Sequence, residues 1–295
     1  MTQNSLSQNS LSQNCLPSYQ SLIQPLPAWH PKRMYYGLFK QLLNSVGQLS
    51  DGIAIGSQYG FDSGVMLEYV YRNQPSGKNW LGKVIDRIYL NSQGWQGIRE
   101  REQILKGVLR QTIQTHIAQG IPVHLLDVAC GGGRYDLEVL SEFPADTITA
   151  TLRDYMPENV KQAQELATQL GVTATIEQAD AFSDAALERV FPRPNLIVVS
   201  GLHEILPDDD RVRNHFHQLH RILASKGVLI FTIQPYHPQL ELIARVLNSH
   251  TGKPWAMRLR SYELTQTWAI AAGFKGLQTQ MDSFGIFGVV QAYKE

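Results

Sequence analysis

In the stretch LLDVACGGGRYDLEVL, residues 125–140, three consecutive glycines separate an apolar run from a helical pattern. The apolar run predicts a buried strand over 124–129, and the residues after the glycines predict a helix. A glycine-rich turn between a strand and a helix is a common nucleotide-binding element. The segment therefore predicts a ligand site and leaves open which nucleotide it receives.

The sequence after residue 120 alternates between strand and helix patterns. Further strands are predicted at 147–152, 173–179, 195–200 and 228–234, and this alternation indicates a doubly wound, parallel sheet with helices on both faces. The segments 276–283 and 284–294 are too close together for a helical crossover, so they pair antiparallel. We expect an α/β fold with a seven-stranded, mostly parallel sheet, an antiparallel final strand and an N-terminal helical cap.

The N-terminal part of the chain divides into two regions. A polar five-residue unit occurs three times over 3–17 (QNSLS, QNSLS, QNCLP), and prolines continue to residue 31, which predicts a disordered, low-complexity tail over 1–33. Residues 34–119 show helical spacing only and form the predicted cap region, and 120–295 form the predicted sheet domain. The apolar face that begins at Met34 favours packing on this chain or a second subunit over a membrane surface, because few cations accompany it.

The composition narrows the class of protein. Lys plus Arg and Asp plus Glu number 26 each in 295 residues, so the chain lacks the basic surface that dominates nucleic-acid affinity. Cys15 and Cys130 are neither a disulfide framework nor a metal site. No run of about 18 apolar residues and no secretory signal pattern is present. These observations predict a cytoplasmic protein that does not bind nucleic acid.

The glycine turn does not fit a phosphate-bearing nucleotide. A triphosphate-binding loop needs lysine and then serine or threonine, whereas arginine and tyrosine follow Gly133. A dinucleotide fingerprint has a third glycine where this chain has Asp136. Asp127 ends the strand, and its carboxylate would repel a pyrophosphate. S-adenosylmethionine suits the turn better, because it carries a sulfonium and an ammonium group and no phosphate.

Carboxylates follow three successive predicted strands. The string DVACGGG, from Asp127, fits the acidic-x-small-x-Gly-x-Gly pattern of class I methyltransferases. Asp154 would accept both ribose hydroxyls, and Asp180 the adenine amino group. Each aspartate alone is more typical of a turn or helix cap, but the three together, with the glycine turn, favour a cofactor site. The predicted cofactor-binding residues are Asp127, Ala129, Gly131, Gly133, Asp154, Tyr155, Asp180, Ala181, Phe182 and Ser200.

Longer strings resemble a family of class I methyltransferases, some of whose members are fused to an α/β-hydrolase domain. They include FDSGVMLEYVYRN (61–73), LRDYMPENV (152–160), VVSGLHEILPD (198–208) and QPYHPQLELIARVLNSHTGKPWAMR (234–258). The resemblance covers roughly 52–293 and leaves the repeats outside. It implies a Rossmann-like fold, S-adenosylmethionine as cofactor and methyl transfer to an undefined acceptor.

The predicted catalytic residues are His203 and Glu204, which follow the fourth predicted strand. Histidine can take a proton near neutral pH, and the glutamate would orient it, act itself or begin the next helix. The family more often has tyrosine at position 203, which favours a positioning role over a base. Arg99 and Arg101 would bind a carboxylate or line a solvated helix face. No metal is expected, because the nine histidines lack ligand spacing.

The sequence thus predicts an S-adenosylmethionine-dependent methyltransferase that acts by in-line displacement on a small-molecule or lipid-like acceptor. Whether oxygen, nitrogen, sulfur or carbon is methylated stays open. The first alternative is a non-catalytic S-adenosylmethionine-binding module associated with a hydrolase. The second is a dinucleotide-dependent oxidoreductase, against which Asp127 argues. A homodimer or a hydrolase partner is the expected assembly.

Overall fold

The structure is a computed structural model that describes residues 17–295, so nearly all of the predicted repeat lies outside the described residues. The chain forms two units. One comprises residues up to Ile98 together with Tyr236–Leu259, and the other comprises Arg99–Pro235 and Arg260–Glu295. The sequence placed the boundary near residue 120 and assigned everything beyond it to one domain, whereas the structure assigns the 236–259 insert to the N-terminal unit.

The N-terminal unit is helical, as predicted for this region. Its helices are α1 (Tyr19–Ile23), α2 (Pro31–Asn44), α3 (Asp51–Tyr59), α4 (Gly64–Arg72), α5 (Trp80–Leu90) and the first residues of α6 (Gln93–Ala118), with a 3₁₀ turn at Val46–Leu49. Local sequence sets the starts of several helices. The side chains of Ser50, Ser63 and Asn79 accept hydrogen bonds from the first-turn amides of α3, α4 and α5.

A buried carboxylate joins three of these helices. Asp86 of α5 is fully buried and accepts hydrogen bonds from Ser50 Oγ (2.6 Å), Gly52 N (2.9 Å), Tyr69 OH (2.6 Å) and Ser76 N (2.9 Å). Burial and this carboxylate raise the pKa of Tyr69. Four donors compensate the cost of burying the charge, so Asp86 fixes the arrangement of α3, α4 and α5.

The prediction that the N-terminal tail is disordered is wrong for residues 17–33. Helix α1 and the start of α2 lie there, and Leu22 is 1% exposed in a cluster with Leu240, Ile243 and Met257. The guanidinium of Arg245 donates to the carbonyl oxygens of residues 21, 22 and 24. Because the segment is mostly polar, its sequence did not indicate that Leu22 anchors it. The insert supplies its partners, which lie more than 200 residues away in sequence.

Helix α2 keeps an exposed apolar stripe. Met34 is 80% exposed and Leu38 is 69% exposed, and the helix has no buried residue. Its contact with the insert includes an ion pair between Lys32 Nζ and Glu241 Oε2 at 2.6 Å. The predicted packing of this face on the same chain is therefore not seen among the described residues.

The second unit contains the predicted sheet. Its strands are β1 (Val123–Asp127), β2 (Ile148–Asp154), β3 (Thr175–Gln178), β4 (Leu196–Val199), β5 (Val228–Ile233), β6 (Lys275–Met281) and β7 (Gly288–Tyr293). The order is β3-β2-β1-β4-β5-β7-β6; β1 to β5 run parallel, and β7 is antiparallel to both neighbours. The predicted seven-stranded fold with one antiparallel strand at the C-terminus is confirmed.

Burial explains the strand sequences. Every residue of β4 and β5 is buried, which accounts for their continuous apolar runs. The edges differ: β3 has only four residues, with Glu177 paired to Arg153 at 2.5 Å, and β6 has an irregular register between Lys275 and Gln278. β1 lies between β2 and β4, so the order of the strands changes direction there. In open parallel sheets ligands bind at such a switch point, beyond the carboxyl ends of the strands, and here this is the carboxyl end of β1.

The remaining helices connect these strands. They are α7 (Arg134–Leu140), α8 (Pro157–Leu170), α9 (Asp184–Glu188), α10 (Leu202–Ile205), α11 (Asp209–Ile222), α12 (Leu240–Val246, in the helical unit) and α13 (Tyr262–Ala271). Helix α11 buries one face, which includes His215 and Phe216, and its first turn carries Asp209 and Asp210.

Replacing Leu22 by alanine tests the anchoring of the N-terminal segment. The Leu22→Ala variant should lose about 2–5 kcal/mol of stability in urea unfolding, because a fully buried leucine is removed. Ile23 is 46% exposed and provides the control, so Ile23→Ala should stay within about 0.5 kcal/mol of the parent chain. Equal unfolding curves for the two variants would contradict the packing of α1.

Candidate functional site

The glycine turn between β1 and α7 requires glycine for two reasons. Gly131 and Gly133 have φ angles of +56° and +70°, which residues with a side chain rarely adopt. A Cβ at Gly133 would also lie 3.1 Å from Leu137 Cδ1 and 3.2 Å from Ala163 Cβ. Gly133 thus lets α7 and α8 approach closely, and the amides of the turn remain near the carboxyl end of β1.

Asp127 lies inside the protein at the end of β1. Its Oδ1 accepts a hydrogen bond from Ala129 N at 2.8 Å, and its Oδ2 accepts one from Tyr135 OH at 2.6 Å. The residue is fully buried, and burial raises the pKa of its carboxyl to about 6. Both carboxylate oxygens already accept hydrogen bonds from the chain. The negative charge of Asp127 would therefore act on a ligand electrostatically, across the glycine turn.

A second buried carboxyl lies beside Asp127. Asp136, in the first turn of α7, is fully buried, and its carboxyl is close enough to that of Asp127 for a hydrogen bond between the two. Burial and the charge of Asp127 raise its pKa well above the ordinary value. The pair therefore holds a proton at neutral pH, because two like charges so close in a buried site are not both ionised. From the sequence, Asp136 was noted only because it stands where a dinucleotide fingerprint has its third glycine.

Asp154, at the end of β2, is bound to the glycine turn. Its Oδ2 accepts the amide of Gly131 at 2.9 Å, and its Oδ1 accepts Met156 N at 2.9 Å and Asn159 Nδ2 at 3.0 Å. The carboxylate is buried, whereas the neighbouring Tyr155 is 67% exposed. The structure therefore brings together two predicted cofactor residues. The contribution of Asn159 was not predicted.

The segment after β3 adjoins this carboxylate. Ala179 N donates to the Asp154 carbonyl at 3.0 Å, and Asp180 Oδ1 accepts Phe182 N at 2.9 Å in an exposed turn. The Phe182 ring is half-buried, and the guanidinium of Arg211 lies 4.1 Å from its centroid. The three predicted adenine-side residues, Asp180, Ala181 and Phe182, thus follow directly on the segment bonded to Asp154.

The segment after β4 carries the predicted catalytic pair. Ser200 is half-buried, and Gly201, with φ +77°, donates its amide to Thr232 Oγ1 at 2.8 Å. His203 and Glu204 follow in α10 and are both buried. The geometry places these residues at the carboxyl end of β4, which is a neighbour of β1 in the sheet.

His203 forms part of a buried chain of contacts. Its Nε2 lies 2.9 Å from His215 Nδ1, and His215 Nε2 lies 3.0 Å from the Ala181 carbonyl oxygen. Burial and the nearby charges of His215 and Arg260 lower the pKa of His203 well below 6.5, and burial lowers the pKa of His215 to about 4. Both imidazoles are therefore neutral at physiological pH. No role was predicted for His215 from the sequence.

Glu204 is a buried acid in α10. Neither carboxylate oxygen has a hydrogen-bond partner within the described part of the chain, and Oε1 forms an ion pair with Arg101 Nη1 at 4.0 Å. Arg101 is itself 5% exposed, and its guanidinium lies 5.1 Å from the centre of the Phe287 ring. The interpretation of Arg101 as part of a solvated helix face is therefore wrong. Arg99 is only partly buried, and burial lowers its pKa.

A family model described as "Putative methyltransferase" matches residues 1–294 of this chain. The chain belongs to this family. The match begins at residue 1, so the expectation that the N-terminal repeats lie outside the resemblance is wrong. The fold, with its glycine turn and antiparallel β7, is that of class I methyltransferases.

A curated relative is the uncharacterized protein YnbC of Escherichia coli strain K12. It is 42% identical over 273 residues, which make up 92% of this chain and 46% of YnbC. The chain therefore spans about half the length of this relative.

Solved structures share the fold at low sequence identity. A protein of Bordetella parapertussis described as a possible exported protein has a TM-score of 0.62 at 18% identity, with 100% of this chain and 99% of that one covered. Magnesium protoporphyrin IX methyltransferase from Synechocystis, with S-adenosylhomocysteine bound, has a TM-score of 0.53 at 14% identity, with coverage of 82% and 99%. The CurJ carbon methyltransferase has a TM-score of 0.54 at 11% identity, with coverage of 97% and 83%.

Within 17–295, no group of three or more His, Cys, Asp or Glu side chains is arranged to hold a metal ion. Over the same residues, no helix is both long enough and apolar enough to cross a bilayer.

The two requirements for glycine at position 133 can be separated by mutation. Gly133→Ala should lose about 1–2 kcal/mol from the left-handed backbone and a further ~1–3 kcal/mol from crowding against Leu137 and Ala163. Gly120 has φ +69° with nothing within 4 Å of a Cβ, so Gly120→Ala should show the backbone cost alone. Urea unfolding measures both variants, and equal losses would refute the close approach of α7 and α8.

Burial of Asp127 should make stability depend on pH. Its folded pKa, about 6, lies above the ordinary value of 3.8, so its contribution to stability is complete below about pH 4 and is lost as pH rises towards 6. Asp127→Asn removes this titration and should gain stability relative to the parent chain across that window. Urea unfolding at several pH values measures the difference, and a constant difference would show that Asp127 is not the titrating group.

Proposed function

We propose that this chain is an S-adenosylmethionine-dependent methyltransferase that acts on a small-molecule or lipid-like acceptor. The observation that carries the proposal is the glycine turn at the end of β1, whose Gly131 amide is hydrogen-bonded to the Asp154 carboxylate. Around this bond lie the carboxylates that end β1, β2 and β3. A site with this much negative charge suits a cationic cofactor without phosphate.

The residues present fit the parts of S-adenosylmethionine. Asp154 keeps acceptor capacity beyond its three donors, since a carboxylate offers about four lone-pair positions, and ribose hydroxyls would use it. Asp180 is exposed beside Phe182, where its second oxygen would accept the adenine amino group. Asp127 would stabilise the cationic methionine end through the turn. Ala129, Gly133, Tyr155, Ala181 and Ser200 complete the proposed cofactor site.

The reaction is an in-line displacement, for which the sulfonium supplies an activated methyl group. The chain mainly has to hold donor and nucleophile in line, which accounts for up to roughly 7–11 kcal/mol of barrier reduction in well-oriented reactions. His203 and Glu204, beyond β4, are the proposed catalytic residues. Both are buried, and neither carboxylate oxygen of Glu204 has a hydrogen-bond partner within residues 17–295.

The second candidate is a non-catalytic S-adenosylmethionine-binding module that works with a hydrolase. It is favoured by the length of YnbC, of which this chain covers only 46%. A dinucleotide-dependent oxidoreductase is disfavoured, because Asp136 fills the place of the third glycine and shares a buried site with Asp127.

The proposed setting is the cytoplasm, where the buried thiol of Cys130 would stay reduced. A homodimer or a hydrolase partner is proposed for the assembly. The exposed stripe of α2 is available to such a partner.

Replacing Asp154 tests the cofactor site. Asp154→Ala should weaken binding of S-adenosylhomocysteine by about 1.5–3 kcal/mol, since hydrogen bonds to a charged group are lost. Titration calorimetry measures this. Glu158→Ala, which removes an exposed acid from the first turn of α8, should bind as the parent chain does. Unchanged affinity in Asp154→Ala would exclude it as the ribose ligand.

Transfer of a labelled methyl group decides between the two candidates. The chain is incubated with S-adenosylmethionine, labelled in the methyl group, and an extract of Escherichia coli cells that lack YnbC. A methyltransferase should label an extract component, and mass spectrometry then identifies the product. Cofactor binding without transfer would support the binding module instead. Binding of a nicotinamide dinucleotide in place of S-adenosylhomocysteine would contradict both.

A further inference from the structure

We propose that His203 presents an unprotonated Nδ1 to the acceptor and that His215 is the positioning residue that fixes this tautomer. The acceptor substrate is then a compound with an O–H or N–H nucleophile, whose proton passes to His203. This inference rests on the proposed methyltransferase function and narrows its substrate class.

The proton positions follow from a chain of three groups, the Ala181 carbonyl and the imidazoles of His215 and His203. A carbonyl oxygen only accepts hydrogen bonds, so the 3.0 Å contact with Ala181 O places a hydrogen on His215 Nε2. A neutral imidazole has one N–H, so His215 Nδ1 carries a lone pair. The 2.9 Å contact then places the hydrogen of His203 on its Nε2. His203 Nδ1 is left with a lone pair, because the single hydrogen of the neutral ring lies on Nε2.

Other protonation states conflict with the surroundings. The reversed chain would set the lone pair of His215 Nε2 against the lone pairs of the Ala181 carbonyl. A resting imidazolium is disfavoured, because both rings are buried and Arg260 and Arg211 are nearby cations. The charge of Asp180, which is exposed, opposes this effect on His215. Arg260 donates to the His203 carbonyl at 2.6 Å, which holds the backbone of α10 in place.

The neighbouring residue offers hydrogen-bond acceptors as well. Both carboxylate oxygens of Glu204 are buried and have no hydrogen-bond partner within the described chain. Arg101, whose Nη1 lies 4.0 Å from Oε1, balances the charge of Glu204. His203 Nδ1 and Glu204 together can receive protons but donate none. A hydroxyl or an amine satisfies such groups, whereas a carbon nucleophile or a thioether does not, and buried acceptors left unpaired would cost binding energy.

In the proposed reaction, the methyl group moves from sulfur to the acceptor atom. The lone pair of the acceptor oxygen or nitrogen forms a bond to the methyl carbon. The carbon–sulfur bond breaks, and its electrons pass to sulfur, which becomes a neutral thioether. The acceptor proton moves to His203 Nδ1, and the resulting imidazolium still donates through Nε2 to His215. Glu204 stabilises this cation until the proton leaves for solvent.

The same chain joins the base to the adenine side of the site. Ala181 lies between Asp180 and Phe182, and the Phe182 ring is 4.5 Å from that of His215. The carbonyl that starts the chain therefore belongs to the segment proposed to bind adenine. The tautomer of His203 thus depends on the position of that segment.

Nitrogen-15 NMR of the full chain with labelled histidine tests the tautomer directly, without an acceptor. We expect His203 and His215 both as Nε2–H tautomers at neutral pH. In His215→Phe the fixed tautomer of His203 should be lost. In His215→Gln it should persist, because the amide can accept from His203 and donate to Ala181 O. His217→Phe, at an exposed site on α11, is the matched control and should leave His203 unchanged.

A hydrogen on His203 Nδ1 in the parent chain would overturn the proposal. So would an unchanged His203 spectrum in a folded His215→Phe variant. If His215→Phe does not fold, the spectra of the parent chain and of His215→Gln still decide the tautomer.

Methyl transfer from ¹³C-methyl-labelled S-adenosylmethionine tests the substrate class, since the product's carbon chemical shift reveals the atom methylated. We expect a methyl group on oxygen or nitrogen, a transfer rate at least roughly 10²-fold lower in His215→Phe, and recovery of most of the rate in His215→Gln. Affinity for S-adenosylhomocysteine should stay unchanged in both variants. A methyl group on carbon or sulfur would refute this inference and leave the proposed function standing, whereas no transfer by the parent chain would remove both.

Discussion

The site depends on one buried carboxylate. Asp127 ends β1, an interior strand of the sheet, and it is held by the Ala129 amide and the Tyr135 hydroxyl. These bonds tie the end of β1 to the first turn of α7, and Asp154 holds the Gly131 amide between them. A charge in this place is costly to bury, and Asp136 beside it adds to the cost. The fold therefore gives up stability to keep negative charge under the turn, as functional sites commonly do.

Hydrogen bonds link the ends of four parallel strands into one framework. The glycine turn binds Asp154 of β2, the Asp154 carbonyl accepts the amide of Ala179 after β3, and Ala181 leads through His215 to the segment after β4. Most of these partners are backbone groups or short side chains with little freedom. The site is thus largely organised before any ligand arrives, which lowers the entropy that binding would otherwise cost.

The sequence predicted what depends on local patterns. Strand and helix periodicity predicted the sheet, and the spacing of Asp154 from the glycines located a carboxylate that the turn does contact. Contacts between distant segments left no such pattern. Leu22 looked like part of a polar tail because its partners come from the insert, and His215 looked like one of several histidines on a helix. Helical geometry alone would have brought Tyr135 back to the end of β1, since it lies in the first turn after the loop.

The two outer strands of the sheet also matter to the behaviour of the protein in concentrated solution. An open sheet exposes unpaired backbone groups along both borders, and long, flat borders recruit other chains into aggregates. Here one border is the four-residue β3, which carries the ion pair of Glu177 with Arg153, and the other is β6, whose register is broken near Lys275. A short charged border and an irregular one are poor templates for a foreign strand. The sheet can thus remain open without inviting edge-to-edge association.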